Sequence, residues 1–303
     1  MNKQELTSLV AEILSQMHGE EPKVKASDYK PATVGPEPVD TGFRDGDFVP
    51  DISALDLRKL YLVENGADEM RFRKMKEKTP ARLGCGKAGA RYKTLTMLRF
   101  RADHAAAQDA VFSQVSEDFA EKNGMVAVQT QCTGKDEYLT RPDKGRQFDE
   151  ENRKILRAAI TGKPRVQIVV GDGLSSAAIT ANAMDCLAAI KDGLKLRNIE
   201  TGKDIFVRYC RVGAGDAIGD VTGCELVCML VGERPGLVTD KSMSAYITYR
   251  PHKGVSESAR TVVSNIHSQG TPAVEAGAYI AELIATILEK KVSGVGLLTG
   301  AKG

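Results

Sequence analysis

Apolar residues recur at spacings of three and four at Leu6, Leu9, Val10, Ile13, Leu14 and Met17, with Gln4, Glu5, Ser8, Glu12 and Gln16 on the other side. That period predicts one short amphipathic helix over residues 1–17. From His18 to Pro50 the pattern is lost, and Pro22, Pro31, Pro36, Pro38 and Pro50 stand among Gly, Asp and Lys, the composition of an extended or irregular linker over 18–50. A short helix on such a tether has little core of its own, so it reads as a docking peptide. A helix that folds back onto the body is the competing reading.

Between Asp51 and Val115 the pattern turns helical again, through Leu55, Leu60, Leu62 and Val63, then Met97, Leu98, Phe100 and an alanine-rich stretch from Ala105 to Val111, with a glycine-rich break at Gly84–Gly89. A small helical domain over 51–115 is expected. From 116 to 303 short runs rich in β-branched residues (Met125–Val128, Val166–Val170, Ile205–Val212, Leu226–Val231, Ala245–Tyr249) alternate with helical stretches at Asp149–Ile160, Ser175–Ile190 and Pro272–Leu288. Thr271 and Pro272 read as the cap and first residue of the last helix. Strands apolar on both faces and separated by helices predict an α/β fold with an at least partly parallel sheet.

Composition removes several function classes. The chain has 303 residues, room for two domains and a tail at about 150 residues per domain. Its 42 Lys and Arg against 40 Asp and Glu give a net charge of +2 without a long basic block, which argues against a nucleic-acid partner. Lys3 and Glu5 interrupt the amino terminus, and runs such as Leu226–Val231 are far shorter than the ~20 residues that span a bilayer, so a cytoplasmic protein without membrane attachment is expected. The six cysteines are scattered, and Cys224 and Cys228, placed on one face of a strand, read as buried apolar residues and not as zinc ligands.

The segment Val169-Val170-Gly171-Asp172-Gly173-Leu174-Ser175 takes a buried strand through a glycine turn into a helix, the place where open α/β sheets meet ligands. It is close in wording to the Gly-Asp-Ser-Leu hydrolases, but Gly173 stands where their nucleophilic serine would be. Gly213-Ala214-Gly215-Asp216-Ala217-Ile218-Gly219 has the look of a dinucleotide loop, with too few residues before the next strand for a full crossover helix. Gly84–Thr94 lacks the glycine that should precede the lysine of a phosphate loop. Asn265-Ile266-His267-Ser268-Gln269-Gly270 approaches the Asp-x-His-x-x-Gly signature of some cobalamin enzymes, but asparagine replaces the carboxylate that would orient the imidazole, so His267 reads as a hydrogen-bonded structural histidine. No spacing of Ser, Cys, His, Asp or Glu makes a catalytic or metal-ligating set, and residue-level reasoning ends at an α/β binding protein with one ligand edge.

From Arg82 onward five segments occur in a telling order: Leu98-Arg99-Phe100 with Ala102-Asp103-His104, Tyr138-Leu139-Thr140-Arg141-Pro142-Asp143, Asp172-Gly173-Leu174-Ser175, Val231-Gly232-Glu233-Arg234-Pro235-Gly236-Leu237, and Ser264-Asn265-Ile266-His267 with Gly270-Thr271-Pro272. In these the chain resembles the small subunits of ethanolamine ammonia-lyase. The resemblance implies a helical amino-terminal part and a Rossmann-like domain, a larger barrel subunit as partner, and adenosylcobalamin lying between the two. It also implies the breakdown of ethanolamine to acetaldehyde and ammonia, started by homolysis of the cofactor's cobalt–carbon bond. Family cobalamin contacts fall on Val212 and Glu233, while a third, a cysteine in the family, is Val263 here. The resemblance further implies packaging in a bacterial microcompartment, with residues 2–17 as the signal that engages shell or cargo proteins. Two rival readings are a non-enzymatic cobalamin carrier or scaffold protein and a free-standing nucleotide-binding enzyme.

Overall fold

The computed structural model describes residues 51–299, Leu57 apart, and the expected tail helix and linker lie outside the described residues. Helix α1 (Glu69–Lys76) is capped by Asp68, whose carboxylate accepts from the Arg71 amide at 2.9 Å. The glycine-rich break is a small hairpin, β1 (Lys87–Ala88) against β2 (Arg91–Tyr92), that turns through Gly89 at φ +63°. Helix α2 (Thr94–Phe112) is tied to the segment before α1 by Arg99, which donates to the carbonyls of Ile52 at 3.0 Å and Leu55 at 2.8 Å.

The chain then runs through α3 (Phe119–Lys122), β3 (Val126–Gln129), α4 (Lys135–Thr140), α5 (Glu150–Ala159), β4 (Val166–Asp172), α6 (Ser176–Lys195), β5 (Ile205–Arg208), α7 (Ala214–Thr222), β6 (Leu226–Gly232), β7 (Met243–Tyr249), β8 (Arg260–Ile266), α8 (Ala273–Lys290) and α9 (Val295–Thr299). Strands β3 to β8 form one sheet in the order β3-β5-β4-β6-β7-β8, in which β3, β5, β4 and β6 pair in parallel and β7 and β8 are added antiparallel. The fold is thus the mostly parallel α/β sheet that the pattern predicts. Every residue of β4 and of β6 is buried, because helices cover both faces. Ile168, Val170, Cys228 and Leu230 pack under α6 and α8, whereas Val169, Val227 and Met229 pack with Leu156 of α5 and Ile218 of α7. Among the described residues, no helix is long and apolar enough to cross a membrane.

Four local expectations are corrected. The run Ile205–Val212 stays a strand only to Arg208, since Tyr209 adopts φ +55° and the next amide, on Cys210, turns to the Asp172 carbonyl at 2.8 Å. The glycine-rich segment after it does form a crossover helix, α7. Its glycines let it lie close to its neighbours: a Cβ on Gly215 would stand 3.0 Å from the Met229 side chain, and one on Gly219 would stand 2.3 Å from the Pro251 carbonyl oxygen. Cys224 precedes β6 instead of sharing its face with Cys228, and the two thiols lie in cores on opposite sides of the sheet, both pushed up by burial. Pro272 itself holds the cap position of α8 with no side-chain cap, so Thr271 does not cap the helix.

Candidate functional site

A parallel sheet delivers the carboxyl ends of its strands to one edge; in β5, β4 and β6 these ends are Arg208, Asp172 and Gly232. The turns beyond them enclose a cleft of about 340 Å³ whose walls include Tyr138, Leu174, Arg211, Val212, Val231 and Glu233. Val212 and Glu233 therefore line one cavity, although they come from different turns. Close packing behind the cleft needs glycine, because a Cβ on Gly173 would lie 2.9 Å from the Cys210 carbonyl oxygen and one on Gly232 only 2.2 Å from that of Ser175.

Val212 belongs to the tight turn that leads into α7. The Arg211 amide donates to Gly145 at 2.9 Å, and the Gly215 amide donates back to the Val212 carbonyl at 3.0 Å. The Arg211 guanidinium lies 4.7 Å from the centre of the Tyr138 ring and donates through Nη2 to the Tyr138 carbonyl at 2.7 Å. Its Nε is buried with no partner among the described residues. Tyr138 closes the turn from below, its hydroxyl donating to the Cys210 carbonyl at 3.2 Å. Burial holds that phenol well above its ordinary range, so it remains a donor.

Glu233 is the first residue after β6, and its amide donates to the Ser242 carbonyl at 2.9 Å. Oε1 of its carboxylate accepts the Ser244 hydroxyl at 2.5 Å and the Asn265 amide at 3.0 Å. His267 lies just beyond. The Gln269 amide donates to its Nδ1 at 3.2 Å, which leaves the proton on Nε2, and Nε2 donates to the Asn265 side-chain oxygen at 2.8 Å. Asparagine thus takes the orienting place that a carboxylate would have had, and His267 is hydrogen-bonded through both ring nitrogens. Val263 turns its side chain into the core beneath α8, whereas its neighbour Val262 pairs across the sheet with Tyr246, a wall of the cleft.

The Asp172-Gly173-Leu174-Ser175 motif divides its work between holding and lining. Asp172, only 3% exposed, accepts the Val115 amide at 3.1 Å, has the Ser176 hydroxyl 2.6 Å from Oδ1, and faces Arg208 at 3.5 Å. Ser175 caps α6 through the Ala178 amide at 3.0 Å. Lys135 donates to the Gly173 carbonyl at 2.9 Å, and burial pushes its ammonium below the usual range against the pull of Asp172. Of the four residues, Leu174 is the one whose contact with the cleft is direct.

A family model described as the ethanolamine ammonia-lyase light chain matches residues 69–298. The chain belongs to that family. Proteins named ethanolamine ammonia-lyase small subunit from Clostridium perfringens, Listeria monocytogenes serovar 1/2a and Clostridioides difficile are 54%, 55% and 54% identical to it, each match covering 98% of this chain and 100% of the relative. For this light chain, sequence reasoning missed Arg211, Ser244 and Tyr246. Arg211 stands beside the residue that was singled out, but nothing in its neighbours shows that its Nε is left unpaired. Ser244 and Tyr246 alternate with core residues on β7 and carry no motif of their own. Tyr246 is among the walls of the same cavity, and burial together with the Glu233 carboxylate pushes its phenol upward.

Proposed function

We propose that this chain is the small subunit of an adenosylcobalamin-dependent ethanolamine ammonia-lyase, which acts with a large barrel subunit to convert ethanolamine into acetaldehyde and ammonia. In this reading Val212 and Glu233 contact the cofactor, residues 51–115 form the helical domain and 116–303 the Rossmann-like cobalamin-binding domain. The observation that carries it is the Glu233 carboxylate, with one oxygen fully engaged inside the protein and no donor among the described residues on the other.

The donor set suits a corrin, whose rim carries amide side chains around an apolar face. Oε2 of Glu233 is an acceptor for amide hydrogens, the orphaned Arg211 Nε is a donor for an amide carbonyl, and Val212, Leu174 and Val231 offer apolar contact that displaces water. When bound, the cofactor supplies the homolysis that starts hydrogen abstraction from ethanolamine. This chain positions it and keeps water away. In this reading the substrate's own partners belong to the large subunit, and the chain alone is expected to be inactive.

The decisive experiment follows acetaldehyde release from ethanolamine with adenosylcobalamin, using this chain, its large partner, and the two expressed together. Turnover is expected only from the pair. A soluble pair without turnover would favour the carrier or scaffold reading, and turnover by this chain alone would favour a free-standing enzyme. We further assign residues 2–17 to packaging in a microcompartment of the bacterial cytoplasm, where the apolar stripe would enter a groove on a shell or cargo protein. A charge on that stripe, Leu9→Asp or Ile13→Asp, is expected to abolish co-fractionation with the compartment while soluble activity is kept. Unchanged fractionation would sink this assignment.

A further inference from the structure

Strand β8 departs from a regular ladder at the point where it meets Glu233. Met243 pairs with Ile266 and Ala245 pairs with Val263, so Ser264 and Asn265 together stand opposite the single residue Ser244. Within this bulge Asn265 takes φ +64°, and its amide donates to Glu233 Oε1. Bulges re-aim the groups they carry, and asparagine tolerates the left-handed region better than other side chains. The turn is locked from behind: Thr271 donates to the Asn265 carbonyl at 2.9 Å, Gly270 to the His267 carbonyl at 3.0 Å, and His267 to the Asn265 side chain. On the other side Ser244, 1% exposed, sits directly across from Val231 on β6 and gives its hydroxyl hydrogen to the same oxygen. Two strands thus spend donors on one carboxylate oxygen and none on the other.

We propose that Ser244 is a positioning residue: with the bulged Asn265 amide it fixes the Glu233 carboxylate so that Oε2 is the acceptor presented to the ligand in the cleft. The inference rests on the reading of Glu233 as a cofactor contact. A long glutamate side chain on an exposed turn would otherwise sample several rotamers, and holding one oxygen beforehand removes that entropy from the binding step.

The test is a cobalamin titration by absorbance on the co-expressed complex, with cyanocobalamin as the probe, for wild type, Ser244→Ala, Ser244→Thr, Glu233→Ala and the Ser244→Ala/Glu233→Ala double variant. Loss of one hydrogen bond to a charged group predicts about tenfold weaker binding for Ser244→Ala. Ser244→Thr, which keeps the hydroxyl, should stay within about threefold of wild type, and Ser244→Ala should add less than about twofold once Glu233 is gone, because the serine acts only through that carboxylate. In turnover, the KM for adenosylcobalamin should rise with kcat at saturation held. Equal weakening by Ala and Thr, or an undiminished Ser244→Ala effect in the Glu233→Ala background, would assign Ser244 to packing and overturn the proposal. So would wild-type affinity in Ser244→Ala while Glu233→Ala binds weakly. Wild-type affinity in Glu233→Ala would instead remove Glu233 from the cofactor site, and the proposal would fall with it. Should Ser244→Ala fail to assemble, Ser244→Cys, near in size with a poor donor, takes its place with the same expected order.

Discussion

Replacing Arg260 by methionine is expected to destabilise the full chain by roughly 3–5 kcal/mol, the usual cost of removing one member of a buried ion pair. Arg260 opens β8, and its side chain is 2% exposed. It grips Asp216 of α7 through two parallel bonds of 2.8 Å, reaches Thr248 at 3.2 Å, and donates to Glu257 at 2.7 Å. The hydrogen bonds with Asp216 hold the guanidinium even further above its ordinary value, so the arginine stays charged at any pH the fold survives. Glu257 is 68% exposed and loses little if its partner goes, whereas Asp216 at 11% would keep a charge it cannot solvate. At about 2–4 °C per kcal/mol for a domain of this size, the midpoint of thermal unfolding should fall by about 10 °C. The double variant Asp216→Leu/Arg260→Met should recover most of that loss, because the greater part of the cost is the orphaned carboxylate and not the absent pair. A double variant as unstable as Arg260→Met alone would show that the arginine acts through packing.

That ion pair joins two elements the pattern of the sequence did not predict, β8 and α7, and their contrast with the predicted strands explains what was legible. Strands β4 and β6 are buried on both faces, so their sequences are continuous apolar runs that no helix of that length would need. Strand β8 lies at the sheet edge and mixes buried with exposed positions, so it lacks the continuous apolar run that marks β4 and β6. Helix α7 was hidden for a different reason: its glycines weaken local helix propensity and are there for close approach to Met229 and Pro251, a tertiary demand. The end of β5 was hidden because a tyrosine at φ +55° is imposed by the Asp172 and Gly145 carbonyls that capture the following amides, and nothing in the residue type announces it.

The cleft was legible as a place more than as a mechanism. A glycine turn after a buried strand marks, from sequence alone, the sheet edge where the cleft lies, and the Gly-Glu-Arg-Pro-Gly turn puts Glu233 at the end of a strand. The partners of that carboxylate come from 11 and 32 residues further along, in strands whose register only the folded sheet defines. His267 shows the complementary limit: its motif was read correctly as lacking the carboxylate, yet its actual task, setting the side chain of the residue whose amide holds Glu233, is visible only in the turn it closes.

Asp172→Ala is expected to have an effect of similar size, about 3–5 kcal/mol, and to act at the junction between the helical segment and the sheet. The carboxylate is the last group of β4, and it holds three things at once: the Val115 amide just beyond α2, the Ser176 hydroxyl at the start of α6, and the charge of Arg208 at the end of β5. Alanine leaves the amide without its acceptor and Arg208 without its countercharge in a site that is 3% exposed. Asn keeps one oxygen for the Val115 amide but gives up the charge, so Asp172→Asn should lose about half as much in urea unfolding. Ser176 also lies 2.8 Å from the Ser113 carbonyl, so its hydroxyl can turn there when Asp172 is gone, and the loss should therefore concentrate on residues 113–116. Hydrogen exchange is the measurement that separates the two scales: amides around Val115 should open first in Asp172→Ala, ahead of those in β4 and β6, which are buried on both faces. Uniform loss of protection across the sheet would mean that Asp172 supports the whole core, and unchanged stability would mean that Arg208 finds its compensation in the Val115 carbonyl it already touches at 3.1 Å.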